Sequence, residues 1–393
     1  MNGSRSVAAA NPWSAETDGR HKPLTDRRGG AIGLGLIGVT LICLALLANQ
    51  RWLDRHFLPS FFLPRQSYVR IYLAVRCSFI LLGASLMVGA RRLAGPPSRL
   101  LARGAPIGIA VLLALGSSEL VLRHVHLRPA EWLQPEEEPR RQPDSRLGWT
   151  FVPSRIGHAN ASGRLIEYAI DAAGYRVRQV DAPVDPALPT IVFIGESIMF
   201  GEGLTWDESI PAQVASMTRV QSANLAVHGF STSQAYLRLE QELPRFRRPI
   251  GVVSLFMPAL FGRNLDDDRP HFLRGLVWQP AVQHARLVAL AELLVPYRRT
   301  ETVERGIIVT REVLAATTAL AHASGATAFS VVPQFGAEEP VEAMLRRRIL
   351  DEPGVPYARV QMDPAWRLPR DLHPNAWGAH VMAAAIVERF QSH

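Results

Sequence analysis

The chain has 393 residues, 48% of them hydrophobic and 20% charged, with 29 Gly, 29 Pro and 2 Cys. This composition excludes a disordered chain, a low-complexity chain and a disulfide framework. The formal net charge of +8 invites a polyanionic partner, but residues 1–128 carry 16 Lys and Arg against 5 Asp and Glu, whereas the rest carry 27 against 30. The larger part therefore lacks the basic footprint that phosphate binding needs, and nucleic acid is excluded as a partner.

Residues 1–29 are polar and basic and are expected in the cytoplasm. Three apolar stretches follow within a membrane domain over 30–123, predicted to span at 30–48, 71–90 and 105–122. Each is near the length a helix needs to cross a hydrocarbon core of about 30 Å. The first lies too far from the N-terminus, and is too well followed by others, for a simple signal peptide. Cys43 and Cys77 both lie in apolar stretches. The second stretch carries Arg76 and the third Glu119; each is read as a snorkelling or mutually paired charge, with an intramembrane polar pathway as the alternative. Lys and Arg near the spans number nine on the N-terminal side of the bilayer and six on the other. That bias places the N-terminus inside and, after three crossings, the large C-terminal part outside.

Residues 124–187 are expected to form a tether and lead-in segment. Within them, 129–145 are rich in Pro and charge and lack apolar periodicity, as an exposed linker is. From 188 to 393 strand and helix patterns alternate. Strands are predicted at 190–194, 223–227, 250–257, 326–332 and 358–362, and helices at 210–217, 231–243, 310–324 and 376–390. Short apolar, β-branched runs separated by helices predict a parallel sheet covered on both faces, a flavodoxin-like three-layer α/β/α fold. Ligands of such sheets bind at the carboxyl ends of the strands, so the residues that follow each strand carry the functional information.

Gly195-Glu196-Ser197 follows the first strand, and Ser197 reads either as a presented hydroxyl at a helix N-terminus or as an ordinary N-cap. Gly229, in Val227-His228-Gly229-Phe230-Ser231, follows the second; it offers a backbone N–H to a ligand or is a turn glycine. His228 is a weaker candidate base than the histidine near the C-terminus. Asn264 follows the third strand, ahead of Asp266, Asp267 and Asp268, a run that reads as a solvated loop rather than a metal site. Asp371-Leu372-His373-Pro374 stands before the closing helix, and an Asp beside a His orients the imidazole and stabilises its protonated form. The segment 266–290, with Phe272 and Trp278, reads as a packed cover, with an apolar lid as the alternative.

Ser, Gly, Asn and Asp-x-His occur in that chain order, each at or near a predicted strand end. In this the chain resembles the SGNH (GDSL-like) hydrolase family over roughly 188–393. Asp144-Ser145-Arg146-Leu147-Gly148-Trp149 and Gly174-Tyr175-Arg176 also resemble the lead-in of its membrane-anchored members. Glu196 stands where the family commonly has Asp, and Arg370 stands where its Asp usually lies, three residues before the His. The resemblance implies a catalytic triad of Ser197, His373 and Asp371, with a Ser–His dyad as the alternative. It also implies an oxyanion hole from Ser197, Gly229 and Asn264, and no metal or organic cofactor. The implied protein is a serine esterase in a bacterial cytoplasmic membrane, its catalytic domain extracytoplasmic. It would hydrolyse acyl esters, acetyl in particular, of envelope carbohydrate or lipid. Two alternatives remain: an O-acyltransferase acting on an extracytoplasmic polysaccharide with a membrane partner protein, and a non-catalytic envelope-binding protein.

Overall fold

The computed structural model describes residues 26–49, 52–53, 58–59, 65–93, 101–125, 137–294 and 298–392. Most of the basic N-terminal segment and residues 126–136 of the expected tether lie outside them. The chain divides into two units, residues 1–49 with 73–112, and residues 50–72 with 113–393.

The three apolar stretches are helices: α1 (Asp26–Leu47), α2 (Arg65–Leu93) and α3 (Leu101–Leu122). Their apolar residues lie all round the helix instead of on one stripe, and Leu36, Leu47, Leu81, Leu82, Leu112 and Leu120 are exposed. Small residues bring α1 and α2 together: a Cβ on Gly38 would stand 2.6 Å from the Gly83 carbonyl oxygen. Among the described residues one helix, Arg65–Arg91, has the length and hydropathy to cross a membrane; the apolar runs Ile32–Leu47 and Leu112–Leu122 are shorter. Arg76 Nε donates to the Ala45 carbonyl at 2.9 Å, and the Glu119 carboxylate accepts from the backbone N–H groups of Arg286 and Leu287 at 2.8 and 3.0 Å. Each charge is satisfied by backbone.

The second unit is built on an eight-stranded sheet. The lead-in contributes a hairpin of β1 (Arg141–Asp144) and β2 (Gly148–Phe151), then β3 (Arg155–Ala161), β4 (Arg164–Ile170) and β5 (Arg176–Val177). The parallel strands are β6 (Pro189–Ile194), β7 (Gln221–Asn224), β8 (Arg248–Leu255), β11 (Thr327–Phe335) and β12 (Tyr357–Met362); β9 (His271–Leu273) and β10 (Val277–Gln279) form a separate hairpin. The sheet order is β12-β11-β8-β6-β7-β5-β4-β3. Its parallel part has the flavodoxin-like order 2-1-3-4-5, with the switch point between β6 and β8.

Burial on both faces follows from the β6 sequence. Ile191 and Phe193 pack with Val214, Met382 and Ile386, from α5 (Ile210–Thr218) and the closing helix α10 (Ala376–Gln391). Val192 and Ile194 turn the other way, onto Ala235 and Leu239 of α6 (Thr232–Glu242) and Ala321 of α8 (Thr300–Ala323). The helices start where their caps allow. Ser209 accepts from Ala212 N, Ser231 and Gln234 form a capping box, and Asn375 accepts from Gly378 N.

The lead-in departs from the sequence expectation. Strands β3–β5 extend the main sheet in antiparallel fashion, β5 pairing β7 through Arg176 and Asn224, so a boundary at 188 cuts through a single sheet. Residues 137–145 are folded rather than a free tether. Arg141 is buried and bonds Glu137 at 2.5 Å, and Arg155 pairs with Glu138. Charge-rich sequence reads as solvated when its counter-charges lie a few residues or a strand away. The segment 266–290 contains the β9–β10 hairpin, whose Phe272 is buried edge-on against Tyr236, and the start of α7 (Arg286–Leu294), so its inner side is a packed cover.

Candidate active site

Gly195 follows β6 with φ +150°, a backbone angle that L side chains rarely adopt, and a Cβ there would press to 3.2 Å from both Leu255 and Met199. The chain then turns into the one-turn helix α4 (Ser197–Phe200). Its N-cap is Glu196, whose Oε1 accepts from Ile198 N at 3.1 Å, so Ser197 is the first helical residue and its hydroxyl is not spent on capping. As the first residue of the helix, Ser197 has no intrahelical acceptor for its own N–H.

Ser197 Oγ lies 2.8 Å from His373 Nε2, and His373 Nδ1 lies 2.6 Å from Asp371 Oδ1. The three residues come from opposite ends of the domain sequence, 176 positions apart. The two-residue spacing of Asp371 and His373 works because Arg370, at φ +60°, turns the chain so that Asp371 Oδ1 also accepts the His373 backbone N–H at 3.0 Å. Leu368 N–H donates to the His373 carbonyl, closing the loop. With Nδ1–H given to Asp371, Nε2 is left as the acceptor for the serine proton. Ser197 and His373 are only 4% and 6% exposed.

The electrostatics agree with this assignment. The hydrogen bond from His373 holds Asp371 down at about 2. Burial works against protonated His373, but the Asp371 hydrogen bond and the carboxylates of Glu202, Asp371 and Glu196 outweigh it and raise the imidazole above its ordinary value. Burial keeps His228 neutral, far below its ordinary value.

Glu196 is a second acceptor for the serine. Its Oε2 lies 2.5 Å from Ser197 Oγ and 3.3 Å from Arg263 Nη1. The single hydroxyl proton thus has two acceptors, and Arg263 pairs with the Glu196 carboxylate.

Gly229 and Asn264 have different fates. Gly229 sits at φ +75°, and its carbonyl accepts from Arg269 Nη1 at 2.7 Å. The carbonyl before it, on His228, accepts from Trp149 Nε1 at 2.9 Å, so the loop is held by its oxygens. Asn264 is committed to structure: Nδ2 donates to Thr232 Oγ1 at 3.0 Å and Thr310 Oγ1 at 3.1 Å, and Oδ1 accepts from Thr232 N. Both amide hydrogens are used, so the structure does not present Asn264 as a free oxyanion donor. It ties the turn after β8 to the start of α6. The acidic run is likewise paired, Asp266 with Arg269 and Arg298, Asp267 with His284 at 2.7 Å, and Asp268 with Arg269. Among the described residues no group of three or more His, Cys, Asp or Glu is arranged to hold a metal ion. A cleft of about 610 Å³ runs from Asn264 past Asp266, His271, Leu273 and Arg298 to Arg305, and none of the triad residues lines it.

Sequence reasoning missed Glu202, Arg263 and the work of the lead-in. Arg176 is fully buried and donates to the carbonyls of Phe200, Gly201 and Leu204, fastening the loop that follows Ser197. The ring of Trp149 closes over the Gly229 loop. A Glu flanked by glycines directly after the nucleophile turn, Gly201-Glu202-Gly203, was the available signal for Glu202.

No family model and no curated protein sequence matches the chain. Solved structures do. A protein placed in the G-D-S-L lipolytic family, from Desulfitobacterium hafniense, is 13% identical, with 51% of this chain and 98% of that chain covered at a TM-score of 0.32. An acetyl xylan esterase from the rumen bacterium Butyrivibrio proteoclasticus is 11% identical, covering 54% of this chain and 65% of that one at 0.34. A family two carbohydrate esterase from Cellvibrio japonicus is 14% identical, covering 54% and 62% at 0.34. This chain spans less than two thirds of each carbohydrate esterase. By their descriptions the first is lipolytic and the other two are esterases. At such identities and scores the functional reading stands on the site itself.

Proposed function

We propose that the chain is an SGNH-type serine esterase, anchored in a bacterial cytoplasmic membrane by its N-terminal helices. In this reading it hydrolyses acyl esters, acetyl in particular, of envelope carbohydrate or lipid outside that membrane. The observation that carries the reading is the continuous relay Ser197 Oγ, His373 Nε2 and Nδ1, Asp371 Oδ1 at 2.8 and 2.6 Å, set beside the switch point of a 2-1-3-4-5 sheet. The membrane part is supported by exposed apolar side chains on α1–α3 and by basic residues flanking them.

In the first step Ser197 Oγ bonds to the acyl carbon while His373 Nε2 takes its proton, and the imidazolium is balanced by Asp371. The ester C–O bond then breaks as Nε2 passes that proton to the leaving alcohol. Water repeats the sequence against the acyl-serine and releases the acid. The oxyanion is met by the N–H groups of Ser197 and Gly229, each worth a barrier difference of about 3 kcal/mol. The test is the full chain in detergent with p-nitrophenyl acetate and a fluorophosphonate. Turnover and labelling are expected in the wild type, with both lost in Ser197→Ala and turnover down at least about 10³-fold. A folded wild type that neither turns over nor labels refutes the reading. Acyl transfer to an added glycan in preference to water would make the enzyme a transferase on the same serine.

A further inference from the structure

A second carboxylate faces the reactive nitrogen of His373 and has no hydrogen bond among the described residues. Glu202 Oε2 lies 3.5 Å from His373 Nε2 and 3.7 Å from His228 Nδ1, and its side chain is 34% exposed. Its backbone is fixed closely. Glu202 N–H donates to the Ser197 carbonyl at 3.0 Å, and Arg176 grips the carbonyls of Gly201 and Leu204 on either side. Gly203 N–H donates to Tyr168 Oη at 2.9 Å. His228, buried among Phe151, Tyr168 and Phe200, flanks the carboxylate on its inner side. A partly buried carboxylate held this firmly, with its acceptor capacity unfilled, is matched to a donor that arrives with the substrate.

The chemistry identifies that donor. When the ester bond breaks, the leaving oxygen must lie within hydrogen-bond reach of Nε2 to receive its proton. Glu202 Oε2, 3.5 Å from the same nitrogen, is then within reach of a group on the carbon next to the one that bears the leaving oxygen. The leaving oxygen takes its proton from His373 and has none to offer a carboxylate. A hydroxyl on the neighbouring carbon of the alcohol does. We propose that Glu202 is a specificity-determining residue that accepts a hydrogen bond from this adjacent hydroxyl, so that the site selects monoesters of vicinal diols, the pattern of partly acylated sugars. The inference rests on the serine-esterase reading and names its substrate class. In the second half-reaction the same oxygen accepts from the second hydrogen of the attacking water, while Nε2 takes the first.

The test uses the full chain in detergent and two esters: a methyl glycoside acetylated beside a free hydroxyl, and its analogue with that hydroxyl replaced by hydrogen. The wild type is expected to favour the first by about 10- to 100-fold in kcat/KM, as a charge-assisted hydrogen bond allows. Glu202→Ala is expected to bring the ratio to near one. Glu202→Gln keeps the side-chain shape and a neutral acceptor, should give a ratio between the two, and carries the test if the alanine variant does not fold. A wild-type ratio near one overturns the inference. So does a ratio retained in both variants, because a carboxylate that only stabilises the imidazolium slows both esters alike. A wild type that hydrolyses p-nitrophenyl acetate but neither glycoside ester overturns this inference alone, whereas one that also fails on p-nitrophenyl acetate and does not label overturns the serine-esterase reading.

Discussion

Asp371 shows how much depends on one backbone angle. A spacing of two residues from His373 places the carboxylate on Nδ1 because Arg370 takes a left-handed turn and the same oxygen holds the His373 N–H. This gives a pH prediction. In the proposed mechanism the base is neutral imidazole, so kcat/KM should rise as pH rises through the pKa of His373. The surrounding carboxylates raise that pKa, so the acid limb should lie above the ordinary imidazole value of 6.5. Asp371→Asn removes one of those charges and the tautomer control; the acid limb should move to lower pH and kcat should fall by about 10⁴-fold. A pH–rate series on both proteins checks both effects. Ser197, His373 and Asp371 were legible in the sequence as candidates because their types and order are distinctive. Glu202 and Glu196 were not, because a carboxylate gains a role only from what it approaches in space. Asn264 reads as a donor in sequence, but its two amide hydrogens are consumed by Thr232 and Thr310, hydroxyls 32 and 46 positions away.

At the scale of elements, the lead-in strands act on the site from outside the sequence region that carries it. β5 delivers Arg176 beneath the nucleophile helix, where burial lowers the guanidinium to about 10 and its ring contacts are Tyr168 and Phe200. Among the described residues no carboxylate pairs with it; three backbone carbonyls do. Arg176→Met should remove three hydrogen bonds, each worth about 1 kcal/mol, although Asn224 Nδ2 still donates to the Phe200 carbonyl and Leu204 N–H to that of Gly201. The melting temperature of the full chain in detergent should fall by about 5–10 °C. Turnover should fall with it, because the same carbonyls fix the loop bearing Glu202. A melting curve and kcat measured on one preparation check the two together. The alternation of strand and helix from residue 189 onward was readable from apolar runs. The strands before it were not: Arg155–Ala161 and Arg164–Ile170 are interrupted by polar residues such as His158, Asn160 and Glu167, and become strands by pairing with each other and joining the β7 edge through β5.

For the whole molecule, the proposed anchoring has a direct test in the cysteines. Cys43 and Cys77 are exposed on the protein surface. If lipid surrounds α2, Cys77 in sealed membranes should resist a water-soluble maleimide and react once detergent is added. Reaction at equal rates in both conditions would place that face of α2 in water. The expectation of three spans came from apolar length alone. The helices form over all three stretches, but their apolar runs differ in length, and Glu119 near the end of α3 caps α7 instead of crossing a bilayer unpaired.

Chain order, apolar periodicity and residue type determined the parallel α/β sheet, the helices around it and the Ser, His and Asp that face one another. Each of these is written locally, in runs of a few residues whose burial preference does not depend on distant partners. Tertiary structure decided where the domain begins, which donors remain free for an oxyanion, and which carboxylates surround the base. Those properties are pairings between residues tens to hundreds of positions apart. A hydrogen-bonding group has a fixed capacity, and only the folded chain shows whether that capacity is already filled.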